Sequence, residues 1–365
     1  MQKKKKIDVN SPEAHAILEE ISRTTFTREG LMIAFPTCLP GQTLPIIHDE
    51  CRITALAATS DGMIYGGTSG KRAHVFGANF HGLSGFAMDL GAIEEAAECV
   101  AVCCGKSKVA AFLNGPKGGG IYTSPLAPLN QDMIQEWGFG PPKLTPVGSW
   151  NPNTRFVHAA AGPGGKLAVG VTATNLFVFD LESSVLSMAG EVPGSGRVAF
   201  ASGGFVGKDG DGHIWHFDHQ TRSLRRRAYA LPRGLWNHPM IWARDPRSGR
   251  LYTADAEGTL FSFDEPAGFS GPLGRTRLAP VYAMAVTLDG RLFGFNGDGI
   301  AKMFTYAPAT GTVADLGVAA SVIERRRYGY VFGDAVTGRD GEIVFGENDN
   351  GGHIWLYFPK IGAGA

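Results

Sequence analysis

One pattern recurs along most of this chain: a small or apolar strand, a Gly turn, a short second strand, a polar turn, then an aromatic-rich strand. Residues 53–80, 240–266 and 334–359 show it most plainly. Anchored on the first strand, copies start at Thr54, Cys99, His158, Ala199, Ile241, Ala283 and Asp334, at intervals of 45, 59, 41, 42, 42 and 51 residues. A fixed repeat outranks any single motif, because it decides the architecture before local detail is considered. Within a copy the side chains alternate in pairs, as in Leu251 and Thr253 against Tyr252, which is the period of a strand and not of a helix. Seven all-strand copies of roughly 40–45 residues each predict a single all-β domain, a seven-bladed β-propeller.

Glycine supports this reading. It supplies 51 of 365 residues, about twice the usual share of roughly 7%. Many glycines stand in pairs that ask for positive φ, such as Asp61-Gly62, Gly164-Gly165, Asp289-Gly290 and Asp340-Gly341, so they punctuate hairpins. Lys+Arg and Asp+Glu balance at 34 each, which leaves no global field to hold nucleic acid or an anionic membrane. No apolar run approaches the ~18–20 residues needed to span a bilayer. The basic start Lys3 to Lys6 is followed by Ile7-Asp8-Val9-Asn10, without the apolar core of a signal peptide. Five cysteines in no metal-ligand spacing read as reduced thiols of a cytoplasmic protein, and Cys99 and Cys103 read as small hydrophobes on one face of an alternating strand.

The organisation expected is a tail and short helix over 1–30, opened by Ser11-Pro12-Glu13, and a propeller over 31–365. Blades fall at about 53–91, 97–126, 156–190, 197–231, 240–278, 282–317 and 330–359, the last completed by residues 31–36 from the amino-terminal side, which closes the ring and removes its free edges. Leu126 to Pro152, rich in Pro and carrying two Trp, reads as an insertion laid over one face.

In a propeller the loops entering the first strands gather around the central channel, so this face is the expected ligand site. Those loops carry Arg52, Arg155 with His158, Arg197, Trp236-Asn237-His238, and Arg325 to Tyr330; the second-to-third-strand loops add Arg72 and His74. Converging arginines suit a carboxylate, sulfate or phosphate through their planar fork. His74, His158 and His238 titrate near neutrality, and Tyr328 and Tyr330 are phenols beside arginine. Asp209-Gly210-Asp211-Gly212 and Asn296-Gly297-Asp298-Gly299 are fragments of a calcium loop that lack its remaining ligands, so they read as hairpin turns. There is no GxSxG elbow, P-loop or HExxH.

The recurring Asp-Gly-x-Ile/Leu-Tyr/Phe followed by an aromatic strand, as in Asp61 to Tyr65 and Asp289 to Phe293, resembles bacterial and fungal seven-bladed propellers that include polysaccharide lyases of the ulvan and rhamnose-glucuronate type. The resemblance covers blades one and three to seven and rests on repeat grammar. It implies β-elimination next to a uronic acid, which needs a cation on the carboxylate, a base for the ring proton and an acid for the departing oxygen. On this reading Arg155 and Arg326 neutralise the carboxylate and His158 or His238 is the base, with Tyr328 or His74 as the acid. Arg72, Arg197, Asn237, Trp236 and Tyr330 line the substrate. The expected partner is an anionic oligosaccharide or another small anion, not nucleic acid or membrane. No cofactor is required, with room for a divalent metal such as calcium. Two alternatives stand beside it: a non-catalytic propeller binding a protein or anionic glycan, and a metal-dependent hydrolase or lactonase.

Overall fold

A computed structural model describes residues 10–12, 14–16, 29–36, 46–81, 84–126, 143–193, 196–322 and 328–360. Seven antiparallel sheets follow one another along the chain: 52–93, 98–146, 156–191, 199–230, 243–275, 281–329 and 332–359, here blades 1 to 7. The protein is a seven-bladed propeller. Blade 7 takes its outermost strand from Gly30–Pro36, which pairs antiparallel with His353–Pro359 in the register Met32↔Tyr357 and Ala34↔Trp355. Blade 6 braces that strand, since Ser321 Oγ accepts the Ala34 N–H at 3.0 Å and Met32 O accepts the Val322 N–H at 3.0 Å.

The core is a ring. Seven clusters of buried residues are formed by the described residues, and each lies between two adjacent blades: Phe76 with Ile354 between blades 1 and 7, Phe112 with Phe177 between 2 and 3, Phe295 with Phe345 between 6 and 7. No cluster fills the centre. A blade is apolar on both faces, so each sheet is buried only when both neighbours are present, and closure is what stabilises the whole.

Close approach of successive blades explains glycines that do not sit in turns. Gly67 lies in the second strand of blade 1, and a Cβ there would stand 2.1 Å from the Cys99 sulfur of blade 2; Gly346 in blade 7 faces Ile53 in the same way, at 2.4 Å. Gly67→Val is therefore expected to overpack that interface and cost about 1–3 kcal/mol, read as a lower denaturant midpoint. An unchanged midpoint would show that the blades can separate freely there.

Several local expectations are revised. Cys99 and Cys103 do not share a face: the register shifts between Cys99 and Ala101, so Cys99 packs toward blade 1 and Cys103 toward blade 3. Such a bulge adds a residue and flips every side chain beyond it. The segment read as an insertion supplies the fourth strand of blade 2, Thr145–Pro146, and Trp150 packs on Tyr122 with ring centroids 6.4 Å apart. Of the expected helix, one turn is described, with Ser11 Oγ accepting the Ala14 N–H at 3.1 Å; the remainder, like Cys38, Trp137, Phe139 and Arg326, lies outside the described residues. The turn glycines expected at positive φ have it: Gly62 at 99°, Gly164 at 70°, Gly290 and Gly341 at 88°.

Candidate functional site

The inner strands leave a central cavity of about 270 Å³. Alanines pave it because radial crowding leaves little room on the channel side, and Ala57, Ala101, Ala159 and Ala199 all line it. Against this apolar wall stand four polar or charged side chains: His158 from blade 3, Arg197 at the start of blade 4, Arg244 from blade 5 and Asp334 from blade 7. His158 and Asp334 each directly follow a bulge in their inner strand.

Arg197 spans the opening. Its guanidinium pairs with the Asp334 carboxylate and donates to the Gly333 carbonyl, linking blades 4 and 7 across the ring. Asp334 in turn accepts the Leu56 N–H of blade 1 at 2.8 Å and its neighbour Ala335's N–H at 3.0 Å. One carboxylate therefore ties three blades together.

His158 is neutral. Burial pushes its pKa down to about 3, with the nearby Arg197 charge adding to the effect. Its Nδ1 accepts the Val198 N–H at 3.1 Å, so the ring proton resides on Nε2. The imidazole can donate a hydrogen bond, but its lone pair is already engaged.

Arg244 closes the constellation. Its guanidinium lies 5.8 Å from the Phe200 ring centroid, and among the described residues it has no hydrogen bond or ion pair. The adjacent Asp245 is otherwise occupied, accepting the Arg247 N–H at 2.9 Å and the Ser248 hydroxyl at 2.8 Å. Arg244 is exposed at the mouth of the cavity; partial desolvation draws it below the usual arginine range, opposed by Asp245, yet a guanidinium keeps its charge at any ordinary pH. Trp242 completes the wall, its Nε1–H donating to Arg197 O at 3.2 Å.

The cavity lies toward the face opposite the one expected. Ala58, Cys104, Ala161, Phe200 and Arg244 are the last residues of five inner strands, and all five line it. It therefore reaches the trailing face, where inner strands end, and not the leading face, where they begin.

Of the residues singled out from sequence, the structure brings His158 and Arg197 together. Arg155 stands exposed on the leading rim, 3.3 Å from Glu98. Arg72 is held by Glu50 through two hydrogen bonds of 2.7 and 2.9 Å. His74 is buried, 2.8 Å from Asp89 and 2.9 Å from Glu50. Trp236 packs on Phe261 and donates its Nε1–H to Pro232 O at 2.9 Å, while Asn237 is exposed beside it. His238 is half-buried with neither ring nitrogen hydrogen-bonded among the described residues, and burial, followed by Lys208, lowers its pKa. Tyr328 pairs with Ala320 at the outer edge of blade 6, and Tyr330 is exposed. The arginine, imidazole and phenol groups expected to converge are thus dispersed. The physical reason is that loop position along the chain does not set radial distance.

Asp334, Arg244, Phe200 and Trp242 were not anticipated. A signal for the first was present: His158 and Asp334 occupy the repeat position that holds Ala in blades 4 and 6.

The calcium-like turns are occupied by protein groups. Asp209 holds Arg226 at 2.7 and 2.8 Å, and Asp298 accepts the Tyr282 hydroxyl. Among the described residues no group of three or more His, Cys, Asp or Glu is placed to hold a metal ion, and no helix is long and apolar enough to cross a membrane.

No family model and no curated protein matches the chain. Solved structures do. A chain described as the WD40 beta propeller domain of Doa1 superposes with a TM-score of 0.56 at 12% identity, over 91% of this chain and 98% of that one. A streptogramin B lyase structure superposes with a TM-score of 0.61 at 11% identity, over 91% and 98%. At such identities the likeness is one of fold, and the class it supports is the seven-bladed β-propeller.

Proposed function

We propose that this protein is a ligand-binding propeller that takes a small carboxylate-bearing molecule, a uronic acid unit, in its central cavity. The observation that carries this reading is Arg244, an exposed cation at the edge of a largely alanine-walled cavity, with no ion-pair partner among the described residues, whereas the other cation of the lining, Arg197, is paired with Asp334. A guanidinium in that setting favours a planar anion that accepts two parallel hydrogen bonds. His158 contributes a neutral Nε2–H donor, and Trp242 and Phe200 offer aromatic surface to the apolar face of a sugar ring. Size argues the same way, since about 270 Å³ is just below the ~300–1,000 Å³ of drug-sized sites and suits one ring.

The catalytic form of this reading, a lyase acting by β-elimination beside the uronate, needs a base in addition. His158 spends its lone pair on Val198, and the Asp334 carboxylate is engaged by Arg197 and the Leu56 and Ala335 N–H groups, so no free base lines the cavity among the described residues; binding is therefore the reading preferred. Calorimetric titration tests it. Glucuronate or galacturonate is expected to bind, glucose to fail, and Arg244→Ala to weaken uronate binding about 10–100-fold, the worth of a hydrogen bond to a charged group. Wild-type affinity in Arg244→Ala would overturn the assignment, and release of unsaturated uronate product from a polyuronate would move it to the lyase.

A further inference from the structure

We infer that the site recognises the end of a uronate chain, not its interior, and that the second unit lies in a groove on the trailing face over blades 1 to 3. This rests on the reading of the central cavity as a uronate site.

Two observations combine. First, the cavity is blocked on one side. Arg197 reaches from blade 4 to Asp334 and Gly333 of blade 7, so a glycan cannot thread through the disc. Second, the cavity continues on the other side. A groove of about 560 Å³ lies on the trailing face and shares Ala58, Cys104 and Ala161 with the central cavity. A molecule with one ring in the channel therefore emerges onto that groove.

The groove is built to take a polar continuation. Its floor is formed by the first hairpin turns of three successive blades, including Gly105 and Gly162 to Gly165. Gly164 takes a φ of 70°, and nothing stands within 4 Å of where its Cβ would be, so the turn stays low and the groove open. Two charged side chains are exposed on its lining, Lys106 on blade 2 and Asp61 on blade 1, the latter accepting the Thr59 hydroxyl; the second uronate is placed on the Lys106 side, away from Asp61. Since the cavity holds one ring and the plug prevents a through-going chain, only a terminal unit can enter. A polymer interior would need a cleft open at both ends.

Oligogalacturonates of defined length test this by calorimetry with the full chain. The expected result is tighter binding of the dimer than of the monomer, and a stoichiometry per chain that stays constant as oligomers lengthen. Lys106→Ala should weaken the dimer severalfold and leave the monomer unchanged. Ala161→Phe, at the seam between cavity and groove, should act on the dimer more than on the monomer; if it fails to fold, Lys106→Ala still decides. Stoichiometry that rises with length, or equal affinity for monomer and dimer in the wild type, would overturn end recognition while leaving the cavity assignment intact. Failure of every uronate to bind would instead remove the cavity assignment itself.

Discussion

Glu50→Ala is expected to destabilise the fold by about 3–5 kcal/mol, the usual cost of removing one partner from a buried charge network. Glu50 is fully buried in the short 3₁₀ turn His48–Glu50 that leads into blade 1, and it faces two cations at once. Arg72 takes both its oxygens and His74 Nε2 stands 2.9 Å from Oε2, while Asp89 holds the other ring nitrogen at 2.8 Å. The lower end of the range is expected, because Arg72 keeps 31% of its side chain exposed and can recover hydration when its partner is lost. Urea unfolding would measure it, and a loss below about 1 kcal/mol would show the network to be no more than an exposed ion pair.

The same network makes stability depend on pH in two directions. Hydrogen bonding to Arg72, then to His74, holds Glu50 below its ordinary 4.5 despite burial. Its contribution is present above that value and is lost as pH falls through the lower, folded one. Burial pulls His74 down, but the hydrogen bonds and charges of Asp89 and Glu50 outweigh it and the net shift from 6.5 is upward. Its contribution is full below 6.5 and is lost as pH rises through the raised value. The gap in Tm between wild type and His74→Gln should accordingly be widest in mildly acidic solution and narrow above neutrality. A gap that widens with rising pH would contradict a charged His74.

Asp334→Ala is the second large effect, about 3 kcal/mol, because it leaves Arg197 unpaired in a channel where that side chain is only 23% exposed. It also strips the acceptor from the Leu56 N–H. The double variant Arg197→Met/Asp334→Leu should regain the part of the loss that comes from the unpaired Arg197 charge, since replacing both members of a partly buried pair by apolar groups is close to neutral, while the cost of the Leu56 N–H without its acceptor remains. A double variant as unstable as the sum of its parts would mean that the pair is not what joins blades 4 and 7.

The architecture was legible because it is written in local, periodic terms. Alternation within Leu251–Ala254, glycines such as Gly62 and Gly341 at positive φ, and the apolar run 31–36 needing a partner each follow from backbone sterics and burial acting over a few residues. Side-chain direction was less so. One extra residue between Cys99 and Ala101 reverses which blade each cysteine meets, and nothing in the alternation announces it.

The site needed distances that no periodicity encodes. His158 and Arg197 stood out as polar groups in loops entering the first strands, but Arg72 and His74 looked equivalent until Glu50 was seen to claim both. By itself the chain's repeat determined seven sheets, their order and the strand that closes them, since hairpin pairing and alternating side-chain direction act between neighbours in sequence. Only the closed ring decided that Arg197 would meet Asp334 across 137 residues, that Arg244 would be left facing a cavity, and that this cavity would reach the trailing face. Radial position is a property of the whole circle, set when the seven interfaces pack together.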